Sequence, residues 1–158
     1  MTQAKDRIPP RTGRRRTLAT LLLLVASAAA PLRALAAAWN KAAFAAKTVS
    51  DGLAAIGAAA HSASDLVELK APEIAENGAI VPVEVTSRVP GTQSIYLLVG
   101  KNQYPLAAVF DFLNGAEPFV STRIKMNESA RLTALVRADG RFYSATREVK
   151  VTIGGCGA

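Results

Sequence analysis

Cys156 is the only cysteine of the 158-residue chain, and it stands where chemistry could be delivered rather than stored. It closes the run Val151-Thr152-Ile153-Gly154-Gly155-Cys156-Gly157-Ala158, in which an alternating, strand-like pattern gives way to glycines. Glycine adds no side-chain bulk and opens backbone angles closed to other residues. Gly154, Gly155 and Gly157 therefore read as a mobile arm around the thiol. From Ile153 to Cys156 an extended chain reaches roughly 10 Å, enough to carry sulfur into a cleft of another protein. A lone cysteine makes no intrachain disulfide and no CxxC redox pair. With a single histidine beside it, the usual Cys/His zinc site is excluded too. A free thiol titrates near pH 8.5, so only about a few per cent is thiolate at pH 7. No side-chain charge in residues 154–158 would activate it. Such a thiol is suited to reach, with activation supplied elsewhere. The competing reading, a cysteine buried as a small hydrophobe, fails because its glycine neighbours give it no strand to be buried by.

The other candidates are weaker. His61, the only histidine, sits in a polar connector without an evident partner and reads as solvated. Asn127-Glu128-Ser129 fits the glycosylation acceptor pattern and is read as accidental. Asp111 and Glu117 show no spacing that marks a catalytic carboxylate pair. Arg123, Lys125, Arg131, Arg137, Arg141 and Arg147 read as cations on solvent faces.

The elements that must position the thiol follow from periodicity. Trp39 to Ala60 is rich in alanine, and Phe44, Val49, Leu53 and Ile56 recur at spacings near three and four. That predicts one amphipathic helix, stopped at Gly57. His61 to Ser64 reads as a connector. From residue 65 the period becomes two. Seven short strands are expected, near Leu66–Lys70, Val81–Thr86, Ser94–Lys101, Leu106–Phe112, Phe119–Met126, Arg131–Arg137 and Arg141–Ile153. Pro72–Gly78 and Pro90-Gly91 read as turns, and Asp139-Gly140 as a two-residue hairpin loop. The pattern predicts an all-β fold: an immunoglobulin-like antiparallel β-sandwich over 65–153, with an N-terminal helix and connector over 37–64 and a Gly-rich C-terminal arm over 154–158. The Cys and Trp core of antibody domains is absent, so that likeness is one of architecture only.

The net charge of +7 first suggests a nucleic-acid or membrane partner. Seven of the nineteen basic residues, and one of the twelve acidic ones, lie in residues 1–36, which leaves the remainder at a net +1. A nucleic-acid role loses its support. Residues 1–36 instead have the layout of a secretory signal: a basic start, an apolar run from Leu18 to Ala30, and small residues around 36–38 where cleavage is expected. The apolar run is shorter than the roughly 20 residues a membrane anchor needs. Arg15-Arg16 immediately before it resembles a twin-arginine signal. The sequence therefore predicts export to the periplasm in folded form.

Several stretches resemble the SoxY family of bacterial sulfur oxidation. They are the leader, Val67-Glu68-Leu69-Lys70-Ala71-Pro72-Glu73-Ile74-Ala75-Glu76-Asn77-Gly78-Ala79, Val81-Pro82-Val83, Pro118 to Met126, and Tyr143 to Gly157 with its terminal Gly-Gly-Cys-Gly. One departure is Ala158, where the family commonly has a further glycine. The resemblance implies a substrate carrier, not an enzyme, working in thiosulfate oxidation without a cofactor. It implies that Cys156 holds sulfur intermediates covalently and that Gly154, Gly155 and Gly157 let it swing. It also implies a SoxZ-like subunit as heterodimer partner and transient visits to SoxAX-, SoxB- and SoxCD-like enzymes. Two readings compete with it. One is a periplasmic interaction module whose cysteine forms an intermolecular disulfide. The other is a thiol enzyme, which would lack a resolving cysteine and a shaped pocket.

Overall fold

The computed structural model describes residues 40–113 and 115–152. The leader with Arg15 and Arg16, Trp39, and the arm with Gly154, Gly155, Cys156 and Gly157 lie outside them.

The single helix expected over 39–60 is two short ones, α1 (Lys41–Ala45) and α2 (Val49–Ala55). The break follows from capping. Ala46 is extended, with ψ 140°. The Thr48 side chain then accepts a hydrogen bond from the Asp51 amide and starts a new helix. Asn40 caps α1 by accepting from the Ala43 amide, and its Nδ2 donates to the Ala55 carbonyl at 2.9 Å. One asparagine thus joins the start of the first helix to the end of the second. Gly57 ends α2 with φ +77°, as expected for a glycine past a helix C-terminus.

All seven expected strands are present, together with two that the period did not reveal. In chain order they are β1 (Ser62–Ala63), β2 (Val67–Lys70), β3 (Ile74–Ala75), β4 (Val81–Ser87), β5 (Thr92–Val99), β6 (Leu106–Asp111), β7 (Phe119–Ile124), β8 (Ala130–Ala138) and β9 (Arg141–Val151). The extra pair, β1 and β3, lie in segments read as a connector and a turn. Two residues are too few to show a period of two, so pairing made them strands and no local pattern announced it.

The larger sheet runs β1-β9-β8-β5-β6, with β3 also on β9; the smaller runs β2-β4-β7. β8 and β9 form a hairpin closed at Ala138↔Arg141, and its loop residues Asp139 and Gly140 take φ 48° and 74°. Positive φ at both central positions is what a type I′ turn requires.

The core lies between the sheets, where Val81, Val83 and Val85 of β4 meet Ile95, Leu97 and Val99 of β5 and Leu132, Ala134 and Val136 of β8. Strand alternation turns the intervening residues of the larger sheet the other way. There Tyr96, Leu98, Leu106 and Leu135 pack with Ala43, Phe44, Val49, Leu53 and Ile56 of the helical segment. The molecule therefore has three layers: helices, larger sheet, smaller sheet. Among the described residues no helix is long and apolar enough to cross a membrane.

Candidate functional site

The expected site residues Gly154, Gly155, Cys156 and Gly157 fall outside the described residues. The structure does show what carries them. β9 ends at Val151, and Thr152 is the last described residue, four positions before the thiol. β9 is interior to the larger sheet, with a continuous antiparallel ladder to β8 along one side. Two short parallel pieces hold the other side: β1 against Tyr143 and Ser144, β3 against Lys150 and Val151.

The final residues of β9 are fastened alternately to left and right. The Lys150 amide donates to the Glu73 carbonyl at 2.9 Å and the Thr152 amide to the Ala75 carbonyl at 3.1 Å. Between them, the Val151 amide donates to Ser129 Oγ at 2.9 Å, and the same hydroxyl donates to the Val151 carbonyl at 3.4 Å. Gly78 supports this end from beneath. A Cβ there would stand 2.4 Å from the Met126 carbonyl oxygen and 2.8 Å from Val151 Cγ1. The Met126 amide in turn donates to the Gly78 carbonyl at 2.7 Å. Glycine is required at this position by close approach. Thus Glu73, Ala75 and Gly78, all within the stretch 67–79 that carried the family likeness, brace the end of β9.

The surroundings contain charge without a catalytic arrangement. Arg147, expected on a solvent face, is half-buried. Its Nη2 lies 3.6 Å from Glu73 Oε1, and its Nε is buried without a hydrogen-bond partner. Glu73, Ile74, Arg147, Glu148 and Lys150 line a cleft of about 360 Å³ beside the end of β9. Arg137 also departs from the expectation. It is partly buried and donates from Nη2 to Ser94 Oγ, which donates to Asp111. Asp111 is therefore the end of a structural hydrogen-bond chain. Arg123, Lys125, Arg131 and Arg141 are exposed as expected. His61 is exposed and its Nδ1 donates to the Ala58 carbonyl, so it closes the helical segment. Among the described residues no group of three or more His, Cys, Asp or Glu could hold a metal ion.

Sequence reasoning missed Ser129, Gly78 and the carbonyls of β3. In the sequence Ser129 reads only as part of a glycosylation pattern, and Gly78 as a turn residue. Their roles depend on what the fold brings to them across the chain.

The arrangement holds the last described residues of β9 from both sides. The family model described as "Sulfur oxidation protein SoxY" matches residues 53–156, a span that takes in the sandwich, the brace and Cys156. The solved structure of the sulfur carrier protein SoxY from Chlorobium limicola f thiosulfatophilum is 42% identical, with a TM-score of 0.60. That match covers 67% of this chain and 97% of the Chlorobium chain. The human F-spondin reeler domain is a distant likeness: 11% identity and a TM-score of 0.39, over 59% of this chain and 93% of that one. No curated protein sequence matches. The Chlorobium relative is described as a sulfur carrier protein. This chain belongs to the SoxY family.

Proposed function

We propose that the protein is the covalent carrier of sulfur intermediates in thiosulfate oxidation, with Cys156 as the attachment point. The observation that carries this reading is the family match, which runs through the brace and the glycines to the only thiol of the chain. The sulfur-carrier role of the Chlorobium relative supports it.

Loading joins the Cys156 sulfur to the outer sulfur of thiosulfate. One S–S bond forms, the thiol proton leaves, and two electrons pass to a SoxAX-like oxidising partner. Water then attacks the terminal sulfonate sulfur in a SoxB-like hydrolase, which releases sulfate and leaves a persulfide on Cys156. A SoxCD-like partner withdraws six electrons from the outer persulfide sulfur while three waters supply its oxygens, which leaves an S-sulfonate, and a second hydrolysis releases sulfate and returns the thiol. Sulfur held in this way belongs to the reversible thiol modifications. This chain's own part is to hold, present and withdraw the sulfur. Gly154, Gly155 and Gly157 supply the rotational freedom, and Ala158 adds one methyl at the tip. A SoxZ-like subunit completes the carrier as a heterodimer. Arg15-Arg16 and the apolar run after it direct the folded protein to the periplasm by the twin-arginine route.

The test is intact-mass spectrometry of the protein taken from cells oxidising thiosulfate. Sulfane and thiosulfonate adducts are expected on the peptide containing Cys156 and not in the Cys156→Ser variant, which should also stop thiosulfate oxidation. Disulfide-linked dimers alone, with oxidation unchanged in the variant, would favour the interaction-module reading instead.

A further inference from the structure

The antiparallel ladder between β8 and β9 ends at Ala130↔Val149. Along β9 the amides of residues 149 and 151 face β8, while those of 150 and 152 face β3. Beyond Ala130 the preceding chain turns away towards the β5–β6 connection, where the Asn127 amide donates to Asn102 Oδ1 at 3.0 Å. Backbone pairing on the β8 side therefore stops one step before β9 does. Val151 would keep a hydrogen bond on neither its amide nor its carbonyl on that side. A hydroxyl can accept one bond and donate another. Ser129 Oγ does both, to the Val151 amide and the Val151 carbonyl.

We propose that Ser129 is a positioning residue that sets the pivot of the cysteine arm. By standing in for the missing ladder position, it keeps Val151 in the sheet and makes Thr152 the point from which reach is measured. The inference rests on the carrier reading for its functional meaning, though not for its structural one. Without the hydroxyl, β3 alone holds the strand end. The end can then peel back as far as Val151, which lengthens the segment before the thiol by up to two residues, each adding about 3.3–3.6 Å of extended reach. A longer tether lowers the effective concentration of its tip at a fixed target.

Two measurements on the full mature protein test this. In the Ser129→Ala variant, amide exchange at Val151 should quicken at least tenfold while Val149 stays within twofold. The shape-matched pair Ser129→Thr and Ser129→Val should split, with protection kept in the first and lost in the second. Unchanged exchange at Val151 in both the alanine and the valine variants overturns the proposal. The second measurement deletes Gly154. With Ser129 present, the deletion should lower turnover by the partner enzymes at least tenfold. With Ser129→Ala, the released residues restore reach, and the same deletion should cost less than threefold. Equal penalties in the two backgrounds overturn the positioning role. Normal turnover in the Cys156→Ser variant would sink the carrier reading instead, and the exchange result would still decide whether Ser129 holds the strand end.

Discussion

The two faces of the larger sheet are both buried, but by coverings of different strength. On one side lies a second sheet, whose strands supply Val81, Val83, Val85, Val120 and Ile124 to a shared core. On the other lie two helices of five and seven residues. Isolated helices shorter than about 12 residues are marginal in water. α1 and α2 persist because Asn40 and Thr48 cap them and because Leu98, Leu106 and Leu135 give them something to cover. The sandwich face is thus made of elements that hold each other, and the helical face of elements that the sheet holds.

Leu132 and Leu135 of β8 are both fully buried and point to opposite faces, so they put the difference to a direct test. Leu132→Ala should cost about 3–5 kcal/mol in a denaturant melt, because the sheets on either side cannot close the cavity. Leu135→Ala should cost nearer about 2 kcal/mol, because the short helices can settle into the space. It should also speed amide exchange in α1 and α2 before the strands are affected. Equal losses at the two leucines would break the comparison. Thr48→Ala comes next, at about 1 kcal/mol from the lost cap. Its effect should appear as faster exchange in α2, and a matching change in β8 would show that the layers are more tightly coupled than described. The smallest effect belongs to the outer face of the smaller sheet. There Glu68 pairs with Lys70 at 3.2 Å and Arg88 at 2.8 Å, all substantially exposed. Glu68→Gln should shift stability by less than about 1 kcal/mol, and less still in high salt.

Much of this was legible in the chain. Alternation such as Val81-Pro82-Val83-Glu84-Val85 marks a strand because one face is buried and the other wet. Asp139-Gly140 marks its hairpin because both residues tolerate positive φ. Phe44, Val49, Leu53 and Ile56 gave the buried helical face correctly. Thr48 followed by Asp51 also held the signal for a second helix start, but the alanine-rich surroundings hid it. β1, β3, Gly78 and Ser129 left no such trace. Their roles come from contacts with residues far along the chain, and nothing in a window of neighbours encodes them. The expected site, one thiol among glycines, lies outside the described residues, and the hydrogen bonds that hold the end of β9 were not readable in the sequence.

The position of β9 in the sheet has a consequence for the order of events during synthesis. Ser62 pairs with Tyr143, and Ile74 with Lys150, across about 75–80 residues of intervening chain. Contacts of such separation form late, because the entropy of closing the loop must be lost before they return anything. The sheet cannot seat its interior strand until the chain has left the ribosome as far as residue 151. Until then β1 and β3 have no partner among the described strands, and one hydrogen-bonding edge of β8 lacks its neighbour. A nascent chain in that condition exposes apolar surface and open strand edges, the features that invite aggregation.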